Sequence, residues 1–372
     1  MNESNIINSI QKNCMPVARK TSHKKYVDLI KDYKKSAMSA KLKYVSDTQI
    51  GIERVKAGKN FSYRLNLQKV TDKETLNRIK HLAIPPAWTN VWICDKDDGH
   101  IQATGSDLKK RKQYRYHPLW TVLRNETKFH KMLEFGKVLP ALRLSLEKDL
   151  SRKELCEEKV VATVISLMER TYIRVGNSAY EKMYGSYGLT TLKDKHVDIH
   201  DGEIHFNFKG KKSVMHDITL RNKKLAKIVK ECRDIPGKEL FQYYDENHNR
   251  KSVDSGMVNN YIKNISDTVF SAKDFRTWAG CLHFLMAFKN NVLVADQDNK
   301  ITVNSLLDEV SQHLGNTRLV CKKYYVHPGI VRMFEEDKLQ TYFQELDNIE
   351  KDDGLTGLTQ EENILMKLLE SF

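Results

Sequence analysis

The apolar pattern of this chain changes period near residue 120, and that change constrains the fold more than any other feature. From Leu42 to about Trp120, Val, Ile and aromatic residues come in short runs: Lys43-Tyr44-Val45, Phe61-Ser62-Tyr63-Arg64-Leu65, Val91-Trp92-Ile93-Cys94 and His100-Ile101-Gln102-Ala103. Runs of this length and composition predict strands, and Asp98-Gly99 between the last two is a hairpin turn signal. One helix interrupts them at Asp72 to Leu82. It is stopped by Ile84-Pro85-Pro86, since the residue before a proline is steered out of the helical region. From Thr121 onward the period lengthens, and Lys153 to Tyr172 places Leu155, Val160, Val161, Val164, Ile165 and Met168 at helical spacing.

This helical region is broken by one β insert. Val197-Asp198-Ile199, Ile204 to Phe208 and Val214 to Leu220 alternate in polarity, joined by Asp201-Gly202 and Gly210-Lys211-Lys212, which predicts a three-stranded meander with Lys211 at a tight turn. A lysine at such a tip can reach into a groove, although an exposed turn lysine is ordinarily just solvated. The fold class expected is α+β: a small β-rich domain at 42–124 and a larger, mainly α domain at 125–330 carrying the insert. Residues 1–41 read as a partly helical basic extension, and 331–372 as a polar, acidic tail whose most apolar stretch is Ile364 to Leu369.

Charge narrows the partner. The 372 residues carry a net +14, yet residues 331–372 hold eleven acidic and four basic residues, so the rest of the chain stands at +21. A field of that sign favours a polyanion, and nucleic acid is the commonest. An anionic membrane surface would need an amphipathic or lipidated segment. No apolar run is long enough to span a bilayer and no signal-peptide core is visible, so an intracellular protein is expected. Cys14, Cys94, Cys156, Cys232, Cys281 and Cys321 are scattered without a Cys-x-x-Cys pair, which predicts reduced thiols, mostly buried.

Chemistry enters near the C-terminus, where His313-Leu314-Gly315-Asn316-Thr317-Arg318-Leu319-Val320-Cys321-Lys322-Lys323-Tyr324-Tyr325-Val326-His327-Pro328 sets two tyrosines beside two lysines. A tyrosine held among cations is a candidate nucleophile toward phosphate, because nearby positive charge favours phenolate character during attack. Two further segments, Arg170-Thr171-Tyr172-Ile173-Arg174-Val175-Gly176-Asn177 and Lys273-Asp274-Phe275-Arg276-Thr277-Trp278-Ala279-Gly280, put arginines into apolar surroundings where an unpaired charge is costly. Attack on a phosphodiester passes through five-coordinate phosphorus whose non-bridging oxygens gain charge. Arginine forks suit that charge, and a lysine suits protonation of the leaving oxygen. Together these residue types point to transesterification of DNA.

At these residues the chain resembles the type IB DNA topoisomerases, in particular the compact branch of poxviruses, some bacteria and giant DNA viruses. The resemblance runs from about Leu42 to Pro328. It includes Ile84-Pro85-Pro86-Ala87-Trp88, His100 to Gly105, Arg111 to Pro118, Tyr187 to Lys193, Asp274 to Gly280 and Leu314 to Thr317, in that order. It implies a C-shaped clamp around duplex DNA, and it makes Tyr325 the nucleophile that becomes linked to a 3′ phosphate, with Tyr324 in a non-catalytic slot. Arg174 and Arg276 match the two transition-state arginines, Lys211 the general acid and Lys273 an auxiliary lysine. Asn316 departs from the poxviral pattern, which has histidine, and resembles bacterial members. An amide donates the same hydrogen bond without a charge. Gly315-Asn316-Thr317 alternatively reads as the cap of the helix carrying Tyr325.

In the β-rich domain, Gln113, Tyr114 and Tyr116 match residues that contact the major groove, and in the mainly α domain Tyr180 matches a backbone-contacting tyrosine. From the pattern alone, Tyr114 and Tyr116 share one strand face and suit a core as well as a contact. The resemblance further implies a monomer on double-stranded DNA that relaxes supercoils with no ATP and no required metal, leaving room for stimulation by a divalent cation. The motifs agree with this. Gly210-Lys211-Lys212-Ser213 lacks the upstream glycine of a P-loop, Asp95 to Gly99 puts its glycine one place early for a calcium loop, and His196 and His200 lie in a strand-rich stretch that does not stack them as metal ligands. Two alternatives remain open at this level. A tyrosine recombinase shares the arginine, lysine and tyrosine set but usually clamps DNA with a helical domain, and a non-enzymatic architectural DNA binder would need only the charge.

Overall fold

The computed structural model describes residues 32–58, 60–108, 110–266, 270–294, 301–344 and 356–372. Most of the expected basic extension (residues 1–31, including Cys14) lies outside the described residues. The chain divides into two compact units, Met1–Lys131 and Met132–Phe372.

Among its described residues the first unit opens with helix α1 (Tyr33–Ser39), capped by the Asp32 carboxylate, and is otherwise built on strands β1 (Ile52–Ala57), β2 (Asn60–Leu65), β3 (Gln68–Lys69), β4 (Thr89–Ile93), β5 (Ile101–Ser106) and β6 (Lys112–Tyr116). They form one sheet in the order β3-β2-β1-β4-β5-β6, so β6 is an edge. Helix α2 (Lys73–His81), N-capped by Asp72, drops Ile79 onto a small core of Ile52, Val91, Ile93 and Ala103. The Pro85-Pro86 segment is fastened by Arg54, whose guanidinium donates to the carbonyls of Pro85 (3.1 Å) and Trp88 (2.6 Å). A guanidinium can satisfy several carbonyls that no ladder serves.

One strand expectation needs revision. Lys43-Tyr44-Val45 is not a strand but a single bridge of Lys43 to Gly99. The ladder stops there because the Val45 N–H turns to the His100 ring nitrogen instead (3.1 Å). Conversely, β1 carries too many charged residues (Glu53, Arg54, Lys56) to announce itself by apolar alternation, whereas β6 holds the strand face expected at Tyr114 and Tyr116.

The second unit is mainly helical. Its elements in order are α3 (Pro118–Leu150, whose N-terminal turns belong to the first unit), α4 (Glu157–Thr171), α5 (Ser178–Tyr184), strands β7 (Val197–His200), β8 (Glu203–Lys209) and β9 (Met215–Arg221), α6 (Lys223–Arg233), β10 (Gln242–Tyr244), β11 (Arg250–Ser252), α7 (Ser255–Ser266), α8 (Ala272–Val294), α9 (Val303–Leu314), α10 (Arg318–Tyr324), α11 (Pro328–Glu335), α12 (Leu339–Gln344) and α13 (Gln360–Glu370). Helix α4 buries every position from Lys159 to Met168, which makes it a central element rather than an amphipathic face. The meander is as expected, in the order β7-β8-β9.

The C-terminal segment is not a tail. Ile364, Leu365 and Leu368 are fully buried in the main core. Glu362 forms an ion pair with Arg143 (2.8 Å) and accepts from the Trp278 indole (3.0 Å). Its acidic composition misleads because the charge that matters is spent inside the unit. Residues 345–355 of that stretch lie outside the described residues.

Candidate active site

Three chain turns in the second unit build the site. The first follows α4, where Tyr172 takes a left-handed conformation (φ 55°) that ends the helix. The extended residues beyond it are gripped from the side. The Arg174 carbonyl accepts from the Leu189 N–H (2.9 Å) and that of Val175 from Thr190 N–H (2.7 Å), which is what the Tyr187-to-Lys193 motif does physically. Arg174 is thereby fixed at its backbone while its guanidinium reaches across the unit to donate to Asn316 Oδ1 (2.6 Å).

The second turn opens α8. Asp274 folds back on Ser271 N–H (2.8 Å) to start the helix, leaving Lys273 exposed and pointing Arg276 inward, where it is only 5% exposed. Arg276 donates to the carbonyls of Tyr172 and Leu314, the latter at 2.6 Å. One helical turn further on, Gly280 lets the chain approach closely: a Cβ there would sit 2.6 Å from the Tyr325 Cβ and carbonyl oxygen. Only hydrogen fits that space, so α8 serves as the floor under the tyrosine.

The third turn joins α9 to α10. Thr317, not Asn316, caps α10 through its hydroxyl, so the cap reading of Asn316 does not hold. Tyr325 ends α10, its N–H bonded to the Cys321 carbonyl (2.9 Å), and its half-buried ring lies 5.4 Å from the Arg276 guanidinium carbon. Tyr324 points to solvent beside Lys323.

The structure therefore brings Arg174, Arg276, Asn316 and Tyr325 together. Neither arginine has a carboxylate partner among the described residues, and two buried donors, Arg276 Nε and Asn316 Nδ2, have no acceptor. Burial and the neighbouring Arg276 cation push the Arg174 guanidinium down to about 10, which leaves it charged at neutral pH. A protein rarely leaves buried charge and buried donors uncompensated. What they lack is an anion with several acceptor oxygens.

Lys211 and Lys273 are both exposed and no contact joins either to the cluster. Lys211 opens a 3₁₀ turn between β8 and β9. In the first unit, Tyr114 and Tyr116 stack on one face of edge strand β6 (centroids 5.7 Å apart) and are 42% and 45% exposed, so they are surface rather than core. Gln113 points to the other face and donates to Asp107 (3.1 Å). Tyr180 lies on α5, stacked on Tyr184. His196 accepts from the Lys193 N–H through Nδ1 (3.0 Å), a structural bond. Cys94, Cys232, Cys281 and Cys321 are buried and Cys156 half-buried, all as free thiols.

Missed in the sequence was the role of Tyr172 and Leu314, which contribute only carbonyls, a contribution no side-chain pattern reveals. His216 was also missed. Strand alternation from Ile218 and Leu220 would have placed it on the inward face of β9.

Known proteins give the arrangement its family. A family model described as the catalytic core of eukaryotic DNA topoisomerase I matches residues 109–352, and one described as the N-terminal domain of bacterial DNA topoisomerase IB matches residues 60–107. DNA topoisomerase 1B of Acanthamoeba polyphaga mimivirus is 33% identical over 297 residues, covering 77% of this chain and 88% of that protein. DNA topoisomerase 1B of vaccinia virus (strain Copenhagen) is 26% identical over 290 residues, 76% and 89% of the two chains. A solved XerH site-specific recombinase on its DNA substrate aligns over 55% of this chain and 51% of its own at 16% identity and a TM-score of 0.35, too slight a likeness to weigh.

The chain belongs to the type IB DNA topoisomerases, isomerases that act on DNA. Its bacterial-type N-terminal domain and its giant-virus and poxvirus relatives put it in the compact branch of that family. Among the described residues no helix is long and apolar enough to cross a membrane.

Proposed function

We propose that Tyr325 is the nucleophile of this topoisomerase. Its phenolic oxygen bonds to a backbone phosphorus as the bond to the 5′ oxygen breaks, giving a 3′-phosphotyrosyl link and a free 5′ hydroxyl. The phenolic proton passes to solvent, and Lys211 supplies the proton taken up by the leaving oxygen. Arg174 and Arg276 hold the non-bridging oxygens, Asn316 adds a neutral donor, and Lys273 at the start of α8 assists from the rim. The free end rotates and the reverse reaction religates the strand.

The observation that carries this reading is the pair of half-buried and buried arginines without a carboxylate, set beside Tyr325 with unused donors on Arg276 and Asn316. A phosphate supplies what each of them lacks. Because the phosphotyrosine conserves the bond energy and the arginines carry the charge stabilisation, relaxation needs neither ATP nor a metal ion, although a divalent cation can stimulate it. The protein acts as a monomer on double-stranded DNA and is found wherever that DNA is. Gln113, Tyr114 and Tyr116 on β6, and Tyr180 on α5, contact the duplex, combining polar groups with flat rings.

The test is relaxation of supercoiled plasmid in excess EDTA without nucleotide. Full activity is expected, falling steeply as salt rises because a strongly basic body binds DNA by releasing counterions. Complete loss in EDTA would overturn the proposed independence from metal.

A further inference from the structure

The turn that carries Lys211 is held by one side chain that the mechanism above does not use. Gly210 and Val214 close it (N to O, 2.7 Å), and within it Lys212 and Ser213 both adopt left-handed backbone, at φ 60° and 62°. Two consecutive non-glycine residues in that region are strained, so the turn persists only where its surroundings impose it.

His216 supplies those surroundings. It pairs with Phe208 across β8 and β9 and stacks on it, with centroids 5.0 Å apart and planes 18° from parallel. Its ring has a glycine on each side. A Cβ on Gly210, at the base of the Lys211 turn, would come within 2.5 Å of His216 Cδ2, and one on Gly315, beside Asn316, within 2.7 Å of His216 Cε1. The imidazole is thus the wedge through which the Lys211 turn and the Asn316 loop touch.

We propose that His216 is a positioning residue, which docks the Lys211 turn onto the loop carrying Asn316 so that the proton donor and the amide donor are brought to the same phosphate. Burial, reinforced by the Arg174 and Arg276 cations, pushes its imidazole down to about 4. It therefore adds no charge to the site at neutral pH and acts by shape. The inference rests on the reading of Lys211 as general acid.

The experiment compares single-turnover cleavage of ordinary DNA with cleavage of DNA carrying a 5′-bridging phosphorothiolate, whose sulfur leaves without a proton. Lys211→Ala is the reference. His216→Ala should slow ordinary cleavage on the order of 10–100-fold, the usual consequence of a donor displaced by about an ångström, and the sulfur substrate should recover most of that loss. If His216→Ala does not unfold cooperatively, the same comparison is read on His216→Leu, which keeps bulk without the flat ring. Recovery in Lys211→Ala with equal slowing of both substrates in the His216 variant, or no slowing at all in it, overturns the inference alone. Equal slowing of both substrates in Lys211→Ala overturns the general-acid reading and this inference with it.

Discussion

The helical unit buries arginine in two places and treats it in opposite ways. At Arg143, on α3, the guanidinium forms ion pairs with Glu169 (2.8 Å) and Glu362 (2.8 Å) and donates to the Gly357 carbonyl (2.6 Å). Burial alone would lower its pKa, but the hydrogen bonds and charges of the two glutamates outweigh that and leave it raised. At Arg174 and Arg276 the hydrogen-bond partners among the described residues are an amide oxygen and two backbone carbonyls, and the neighbouring charge is another cation. The first cluster ties three helices together. The second stores an unmet electrostatic demand that binding to a phosphodiester satisfies. The lesson is that burial of an arginine does not by itself distinguish structure from function; the sign of its neighbours does.

This contrast can be broken by substitutions that separate activity from stability. The largest effect is expected at Tyr325. Tyr325→Phe keeps the ring above Gly280 and removes the one oxygen that can bond to phosphorus, so SDS-trapped covalent adduct and relaxation should vanish while DNA binding survives. Adduct at the wild-type level in this variant, or its loss only in Tyr324→Phe, would reassign the nucleophile.

Glu362→Gln should next lower stability by about 1–3 kcal/mol, since it leaves the Arg143 guanidinium one carboxylate, Glu169, where it had two, and denaturant unfolding measures this directly. Arg276→Gln should do the reverse. Cleavage should fall about 10²–10³-fold with the unfolding midpoint unchanged or raised, because a charge without a counter-ion has been removed. If both variants lose stability alike, the distinction between the two clusters fails.

A smaller effect is expected at Asn316. Asn316→Ala should lose about 1–3 kcal/mol of transition-state stabilisation in single-turnover cleavage with little change in binding, whereas Asn316→His should keep substantial activity. Wild-type cleavage by Asn316→Ala would mean that its unpaired amide serves nothing. The smallest change in stability belongs to the other unit, where Tyr114→Ala and Tyr116→Ala should shift unfolding by no more than about 0.5 kcal/mol, as exposed residues do. Their measurable loss should be in DNA affinity, and an unchanged affinity would remove β6 from the proposed interface.

Much of this was legible in the order of residues. The meander between Val197 and Leu220, the helix from Asp72 to Leu82 and the central helix ending at Tyr172 follow from turn residues and apolar period, which are local properties. β1 was not legible, because Glu53, Arg54 and Lys56 mask its alternation, whereas the shared strand face of Tyr114 and Tyr116 on β6 was. The C-terminal helix was misjudged for a related reason: net charge says how a segment behaves alone, whereas Glu362 is spent on Arg143, more than two hundred residues away.

The sequence by itself determined the chemical types available: two arginines in apolar stretches, a tyrosine next to lysines, and a turn lysine between strands. Their motif order was enough to indicate the family. Only the tertiary structure decided that Arg276 is anchored by the carbonyls of Tyr172 and Leu314, that Thr317 rather than Asn316 caps α10, and that His216 is wedged between Gly210 and Gly315. These are contacts between residues far apart in the chain, made through backbone atoms and close approaches that every residue type can offer. Which of them form depends on how the helices and the meander pack, and no local spacing encodes it.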